Sequence, residues 1–276
     1  MSNASTLLSK IALHCVLAFV ALSILFPLGW MLVLSLRHYP EQYSSLWALL
    51  TAPTTLSNYA DLLRTTSFGQ YILNSFFVAG TITAGNILFG FTAGYVLARY
   101  RFPGKALVEA SVFAVLLIPA HVLMLPLYRM MVALGWIDTY WALIVPWLIG
   151  GVSVFMVRQY LLSVPRELED AARLDGAGFW RILFQIVFPM ARPVLLMVGL
   201  TSFLAHWNAF FFPFLLTQSD ARRTLPVGLA FYLSKQTIDW GHLMAGAAVA
   251  ALPALGLFLL FRRTFLRGLL SGALRE

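Results

Sequence analysis

Residues Glu167 to Pro189 read ELEDAARLDGAGFWRILFQIVFP, a charged, alanine- and glycine-bearing stretch set in a chain that is otherwise almost wholly apolar. Its start has the marks of a helix N-terminus. Pro165 and Arg166 precede it, and Glu167, Glu169 and Asp170 bring negative charge to the positive end of the helix dipole. Ala171 and Ala172 then leave a surface with almost no side chain, which lets another backbone approach closely. Gly176 permits a turn that residues carrying a Cβ resist. The apolar-rich run after it is suited to lie at an interface before the next long apolar segment begins. On these residues alone the stretch fits either a contact surface or an ordinary amphipathic helix in a loop.

The rest of the chain says what kind of loop this is. The sequence has 276 residues, 60% of them hydrophobic and only 11% charged, and its mean hydropathy is +0.82. A soluble domain carries about a quarter charged residues, so this composition marks a polytopic membrane protein. Six apolar runs approach the roughly 20 residues that a bilayer requires: Ala12–Leu36, Leu73–Leu97, Leu107–Leu127, Tyr140–Leu162, Phe188–Leu216 and Leu243–Phe261. The first run is too long for the apolar part of a cleaved signal and has no small-residue cleavage site after it, so it is expected to be retained. Pro27, Pro119, Pro146 and Pro253 fall inside runs, where kinks are tolerated if neighbours satisfy the freed carbonyls.

Charge sets the expected orientation. Of the 19 Lys and Arg residues, six (Arg37, Arg64, Arg129, Arg222, Arg223 and Lys235) fall on one side of this six-span topology. The remainder lie on the side of the N-terminus, so both termini and the Glu167 stretch are expected in the cytoplasm. The same rule accounts for the net charge of +8. Lys and Arg form no cluster interleaved with aromatics, so nucleic acid is not an expected partner.

Several chemistries have no motif here. No lysine stands in a phosphate-binding G-x-x-x-x-G-K-[ST] loop, and there is no H-x-x-x-H pair, G-x-S-x-G elbow or G-x-G-x-x-G turn. Cys15 is the single cysteine and the five histidines are scattered, so neither a metal site nor a catalytic residue is expected. Among the acids only Glu109 lies near a span, at a predicted cytoplasmic end. A proton-coupled carrier keeps an ionisable relay at mid-membrane, and this chain offers none. The reading is of a protein that is not an enzyme and draws its energy from elsewhere.

The Glu167 stretch resembles the EAA loop of permease subunits in binding-protein-dependent ABC importers. The pattern is E-A-A, three residues, Gly, nine residues, then I-x-L-P. It falls on Asp170, Ala171 and Ala172, on Gly176, and on Ile186, Val187, Phe188 and Pro189. Asp replaces Glu at the first position, with Glu169 beside it, and Phe replaces Leu near the end. Further blocks are similar, in order, to the carbohydrate-uptake permeases of the maltose and glycerol-phosphate type: NYADLLRTTSFGQYILNS (58–75), AGYVLARYRFPGK (93–105), the run from Leu117 to Pro146 that contains WIDTYWALIVP, HWNAFFFPFLL (206–216), TLPVGLAFY (224–232) and FLRGLLSGALRE (265–276).

The resemblance implies an all-α membrane protein with the type I ABC importer permease fold: six transmembrane helices and a cytoplasmic coupling helix. It implies one permease domain over 1–276, with a core near 70–265 and the coupling loop at 165–189. Glu169, Asp170, Ala171, Ala172, Asp175 and Gly176 would couple to an ATPase. The chain would bind no cofactor, ATP and Mg being held by partner ATPase subunits. Expected partners are a second homologous permease, two ATPase subunits, an extracytoplasmic solute-binding protein and the lipid of the bacterial inner membrane. ATP binding would draw the coupling helices together and rock the permease pair between inward-open and outward-open states, so that a sugar or related polyol crosses.

For the substrate path, Asn86, Trp207 and Asn208 are the candidates, with Ser202, Thr217, Gln218 and Trp147 as further polar or stacking groups; inter-helix hydrogen bonding and interfacial aromatics are the competing explanation. Arg222, Arg223 and Lys235, in a long polar loop from Ser219 to Trp240, would reach the binding protein, or simply connect two spans. Gly90 and Gly94 form a small-xxx-small pair suited to close helix packing. A permease of another ABC importer class, for amino acids, peptides or ions, would share the coupling loop but not the WIDTYWALIVP block. A secondary transporter would need the embedded ionisable site that is missing.

Overall fold

A computed structural model describes residues 2–65, 67–233 and 238–273, with side chains over 9–64, 67–231 and 238–262. No strand occurs among the described residues, and three helices together with the run Tyr140–Leu162 are long and apolar enough to cross a membrane, or six spans if two sharply bent pairs each count as one. In chain order the helices are α1 (Ser2–Ser35), α2 (Leu46–Thr51), α3 (Ser57–Thr65), α4 (Phe68–Arg99), α5 (Lys105–Leu117), α6 (Met124–Ala133), α7 (Tyr140–Ile144) and α8 (Gly151–Leu162). They continue as α9 (Glu167–Leu174), α10 (Phe179–Arg181), α11 (Phe188–Met190), α12 (Arg192–Trp207), α13 (Phe211–Leu216), α14 (Leu225–Leu233) and α15 (Trp240–Ala273).

Two compact units make up the chain, and the first comprises residues 1–69 and 229–276. In it, α15 packs along α1 and α3. The carbonyls at the end of α1 lack intrahelical partners, and α3 supplies one: Asn58 Nδ2 donates to Ser35 O (2.9 Å) and Arg37 O (2.8 Å). The outer face of α1 from Ile11 to Leu32 stays exposed and apolar, as a helix against lipid requires.

The second unit, residues 70–228, is organised around α4. One buried cluster gathers Val78, Ile82, Met131, Leu143 and Leu216; the other gathers Phe91, Tyr95, Val157, Leu161, Leu183 and Val198. α4 contributes to both. Gly90 and Gly94 let α8 come close, as their spacing predicts: a Cβ on Gly90 would lie 2.9 Å from Ser153 Cβ, and one on Gly94 2.8 Å from Val157 Cβ.

The apolar runs are broken more deeply than a continuous span requires. The predicted span Leu107–Leu127 is a helix pair, Lys105–Leu117 and Ala120–Ala133, bent by 99°. Ile118 adopts extended backbone because Pro119 Cδ disfavours the helical conformation before it. The predicted span Phe188–Leu216 starts earlier, at Phe179. It runs through a π turn over Ile182–Val187 and bends by 75° between Met190 and Arg192, where Pro193 opens α12 with a preset φ. Tyr140–Leu162 is interrupted at Pro146 and at Gly150, which is extended. The polar loop expected from Ser219 to Trp240 contains α14, whose apolar character the flanking arginines and lysine mask in the sequence.

Candidate functional site

The Glu167 stretch folds as predicted into a short helix, α9, closed by a glycine. Gly176 has φ +79°, and nothing lies within 4 Å of where its Cβ would be. The requirement is therefore for the left-handed backbone and not for space. The turn is a Schellman motif: Ala177 N–H donates to Ala172 O (2.9 Å) and Gly176 N–H to Arg173 O (3.0 Å).

One face of α9 is bound to the rest of the unit. Glu169 is buried, 3% exposed. It accepts from Arg99 Nε at 2.6 Å and from the Tyr95 hydroxyl at 3.0 Å. Arg99 also donates to Val164 O (3.0 Å), and Arg166 donates to Ala98 O (3.1 Å), which serves an orphan carbonyl at the end of α4. Glu169, placed by sequence among the ATPase-coupling residues, thus faces inward and positions the helix. Ala172 also turns inward and packs on the Phe91–Leu183 cluster. Of the alanine pair, only Ala171 lies on the open face.

The other face is open. Asp170, paired with Arg173 at 2.6 Å, and Asp175 are exposed there. Leu168 and Leu174 join Ala171 at helical spacing, and Leu174 is 90% exposed. Together the three leave an uncovered apolar strip on an otherwise charged loop. Sequence reading missed Leu168, Leu174 and the Arg99–Tyr95 clamp. The i, i+3, i+6 run of Leu168, Ala171 and Leu174 among charges was the available signal for the first two.

The path candidates separate. Asn86 is buried and its amide is fully engaged: Nδ2 donates to Ile82 O (3.0 Å) and Trp147 O (2.7 Å), while Oδ1 accepts from Gly150 N–H (2.9 Å) and the Ser153 hydroxyl (2.7 Å). It satisfies the backbone freed where Pro146 and Gly150 break the fourth span. Trp207 is buried at 2% exposure in a cluster with Phe76 (4.6 Å) and Phe203 (5.8 Å), so its ring is not open to a ligand. Asn208 is exposed and caps α12, with Nδ2 donating to Leu204 O at 2.9 Å. A cavity of about 580 Å³ lies beside the break, lined by Asn86, Trp147, Ser153, Ser202 and His206 among others.

At the opposite end of α4 the predicted loop arginines are turned onto the chain itself. Arg222 lies over the Tyr140 ring at 4.4 Å from its centroid. Arg223 pairs with Asp220 and donates to Gln218 O (3.0 Å). Tyr71 donates to Asp220 (2.7 Å), and Asn74 Nδ2 donates to Ala221 O (3.0 Å) and Arg223 O (2.8 Å). Asp138 fastens the same segment, accepting from Gln218 N–H (2.9 Å) and Ser219 N–H (3.0 Å). Burial alone would raise the Asp138 carboxyl, but the hydrogen bonds from Ser219 and Gln218 and the charge of Arg222 hold it below the ordinary range. Lys235 lies outside the described residues.

A family model described as the binding-protein-dependent transport system inner membrane component matches residues 86–271. The chain is 34% identical over 261 residues to the arabinooligosaccharides transport system permease protein of Halalkalibacterium halodurans, covering 94% of each. It is 32% identical to the trehalose/maltose transport system permease protein of Thermococcus litoralis, covering 93% of each. The fold matches a chain from the crystal structure of a bacterial ABC transporter involved in the import of the acidic polysaccharide alginate, with TM-score 0.83 and 20% identity over 95% of this chain and 98% of that one. These relatives are transport components and not enzymes. With the family model covering most of the chain, this polypeptide belongs to the family of binding-protein-dependent transport system inner membrane components.

Proposed function

We propose that the chain is the permease subunit of an ABC importer for a sugar or related polyol. In this reading it pairs with a second, homologous permease, and the two enclose one path. Two ATPase subunits hold ATP and Mg, and the chain itself carries no cofactor. An extracytoplasmic binding protein delivers the solute to a multi-pass protein of the inner membrane whose termini are both cytoplasmic.

The observation that carries the reading is the two-faced helix α9. Its inner face is fixed to α4 by Glu169 and Arg99, and its outer face offers Leu168, Ala171 and Leu174. A rigid attachment on one side and an apolar contact on the other is what a lever needs: a partner that moves α9 moves α4 with it. The carbohydrate class is supported by the names of the relatives and by the WIDTYWALIVP block, where Asp138 fastens the segment after α13. A permease for amino acids or peptides would use the same lever without that block.

The test is ATP-dependent uptake in vesicles that contain the chain, its partner permease and the ATPase, with the loaded binding protein outside. Labelled arabinooligosaccharide and maltose serve as probes. Uptake that needs both ATP and the binding protein is expected; uptake indifferent to ATP would overturn the importer reading. In a Cys15→Ser background, a cysteine at Asp175 should react only from the ATPase side and one at Ser219 only from the other.

A further inference from the structure

We propose that α2 is an interfacial foot, whose exposed face of Leu46, Trp47 and Leu50 lies in the lipid headgroup layer at the Ser35 end of α1. The partner is a lipid surface, and the proposal rests on the membrane placement proposed above. Every residue concerned belongs to the first unit.

The first observation is what α2 leaves uncovered. Leu46 is 60% exposed, Trp47 76% and Leu50 43%, whereas Leu49 is buried. Both ends of the helix are satisfied within the chain. At the start, Ser45 Oγ accepts from Ala48 N–H (3.2 Å). At the other end Arg37, itself buried, donates through Nε to Leu49 O and through Nη2 to Leu50 O, each at 2.8 Å. These are carbonyls that the helix cannot pair itself. The Thr51 hydroxyl turns back to Trp47 O (2.8 Å). With its polar groups spent inside the chain, α2 presents apolar side chains outward.

The second observation is depth. The apolar part of α1, Ser9–Ser35, has 27 residues and is about 40 Å long at 1.5 Å per residue. That is close to the thickness of a bilayer with both headgroup layers. A segment fixed to the Ser35 end therefore lies in a headgroup layer. The fixing is direct. Besides the two bonds from Arg37, Thr55 N–H donates to Leu36 O (2.9 Å), and the Ser35 and Tyr59 hydroxyls lie 2.7 Å apart. The lipid-facing side of α1 stays exposed and apolar up to Leu32, one turn before this attachment, so the lipid face continues to the foot.

The third observation is composition. Residues 42–60 contain no Asp, Glu, Lys or Arg. The leucines of α9 stand among Asp170, Arg173 and Asp175, whereas those of α2 have no charge beside them. Trp47 is the most exposed of the described tryptophans. Tryptophan with leucine on one face of a helix is the pattern that settles at the boundary of headgroups and acyl chains.

The test places single cysteines at Phe19, Glu41, Trp47 or Leu50 in a Cys15→Ser background and labels each with bimane. The transporter, with partner permease and ATPase, is reconstituted in vesicles of phosphatidylethanolamine and phosphatidylglycerol. Quenchers are a lipid with a nitroxide on its acyl chain close to the headgroup, a lipid with the nitroxide at the chain end, and iodide in the water. At positions 47 and 50 the shallow nitroxide should quench several-fold more than at the Glu41 position and more than the deep one, with iodide excluded. Position 19 should respond to the deep nitroxide. Arg37→Ala should lower the shallow quenching at 47 and leave position 19 unchanged; no change at 47 would overturn Arg37 as the tether. Iodide quenching at 47 and 50 equal to that at 41, without lipid quenching, would overturn the foot while position 19 upholds the membrane placement. Shielding from both quenchers would mean that the partner permease covers α2, and iodide access lost only on adding the loaded binding protein would mean a docking face; either overturns the foot. Lipid quenching absent at position 19 as well would remove the membrane placement on which the foot rests.

Discussion

The two ends of α4 use the same kinds of side chain to opposite effect. At the Arg99 end, an arginine, a glutamate and a tyrosine hold α9 by its inner face and leave Leu168 and Leu174 uncovered. At the Tyr71 end, two arginines, two aspartates and two tyrosines close on one another, and Arg222 and Arg223 bind the chain that carries them. Under the proposed coupling, the contact surface is marked not by the number of charges but by apolar area left over after the polar groups are satisfied.

That contrast fails first if the clamp proves no stronger than the far brace. Glu169→Ala would leave the Arg99 guanidinium, whose side chain is only 4% exposed, buried without its partner. Removing one member of a buried pair costs about 3–5 kcal/mol, and the loss should appear as a lower melting temperature and a detached α9. At the other end, the Asp220 side chain is 55% exposed. Asp220→Ala breaks a solvent-screened pair worth below about 1 kcal/mol and frees the Tyr71 hydroxyl, about 1 kcal/mol more, so it should still cost less than Glu169→Ala. Equal losses in the two variants would erase the distinction between the ends.

A smaller effect sharpens the description of the far brace. Asp138 has φ 60°, a conformation that Asn also tolerates, so Asp138→Asn keeps the backbone and an acceptor while removing the charge beside Arg222. The cost should be about 1 kcal/mol or less. Because the folded carboxyl sits below its ordinary range, its stabilisation is present above the unfolded-chain value. It is lost as pH falls through the depressed folded value. The stability gap between the wild-type protein and Asp138→Asn should therefore be flat from neutral to mildly acidic pH and close only in stronger acid. A gap that closes between neutral pH and the ordinary carboxylate range would contradict the assignment.

Much of this architecture was legible in the sequence. Composition and the apolar runs gave the membrane class, and Gly176 and the acidic first turn gave α9 its limits. Gly90 and Gly94 announced the close approach of α8. The breaks at Pro119 and Pro146 were underestimated because a run of apolar residues carries no sign of where a freed carbonyl finds its partner. Asn86 supplies that partner from 61 residues away. The same lack of tertiary partners in a sequence hides that Glu169 and Ala172 turn inward, that Trp207 is buried, and that Arg222 and Arg223 also bind their own chain. Side-chain type is visible in a sequence; which face a fold turns outward is not.

The central claim is that α9 meets its partner through the leucine face, and Leu174→Asp tests it most directly. Leu174 is 90% exposed, so a carboxylate there leaves the fold and the Glu169 clamp untouched and changes only what a partner would meet. The account predicts normal membrane insertion and an unchanged melting temperature of the isolated chain. It also predicts that ATPase subunits no longer co-purify and that ATP-dependent uptake is lost. Full co-purification of the ATPase with undiminished uptake in Leu174→Asp would contradict it.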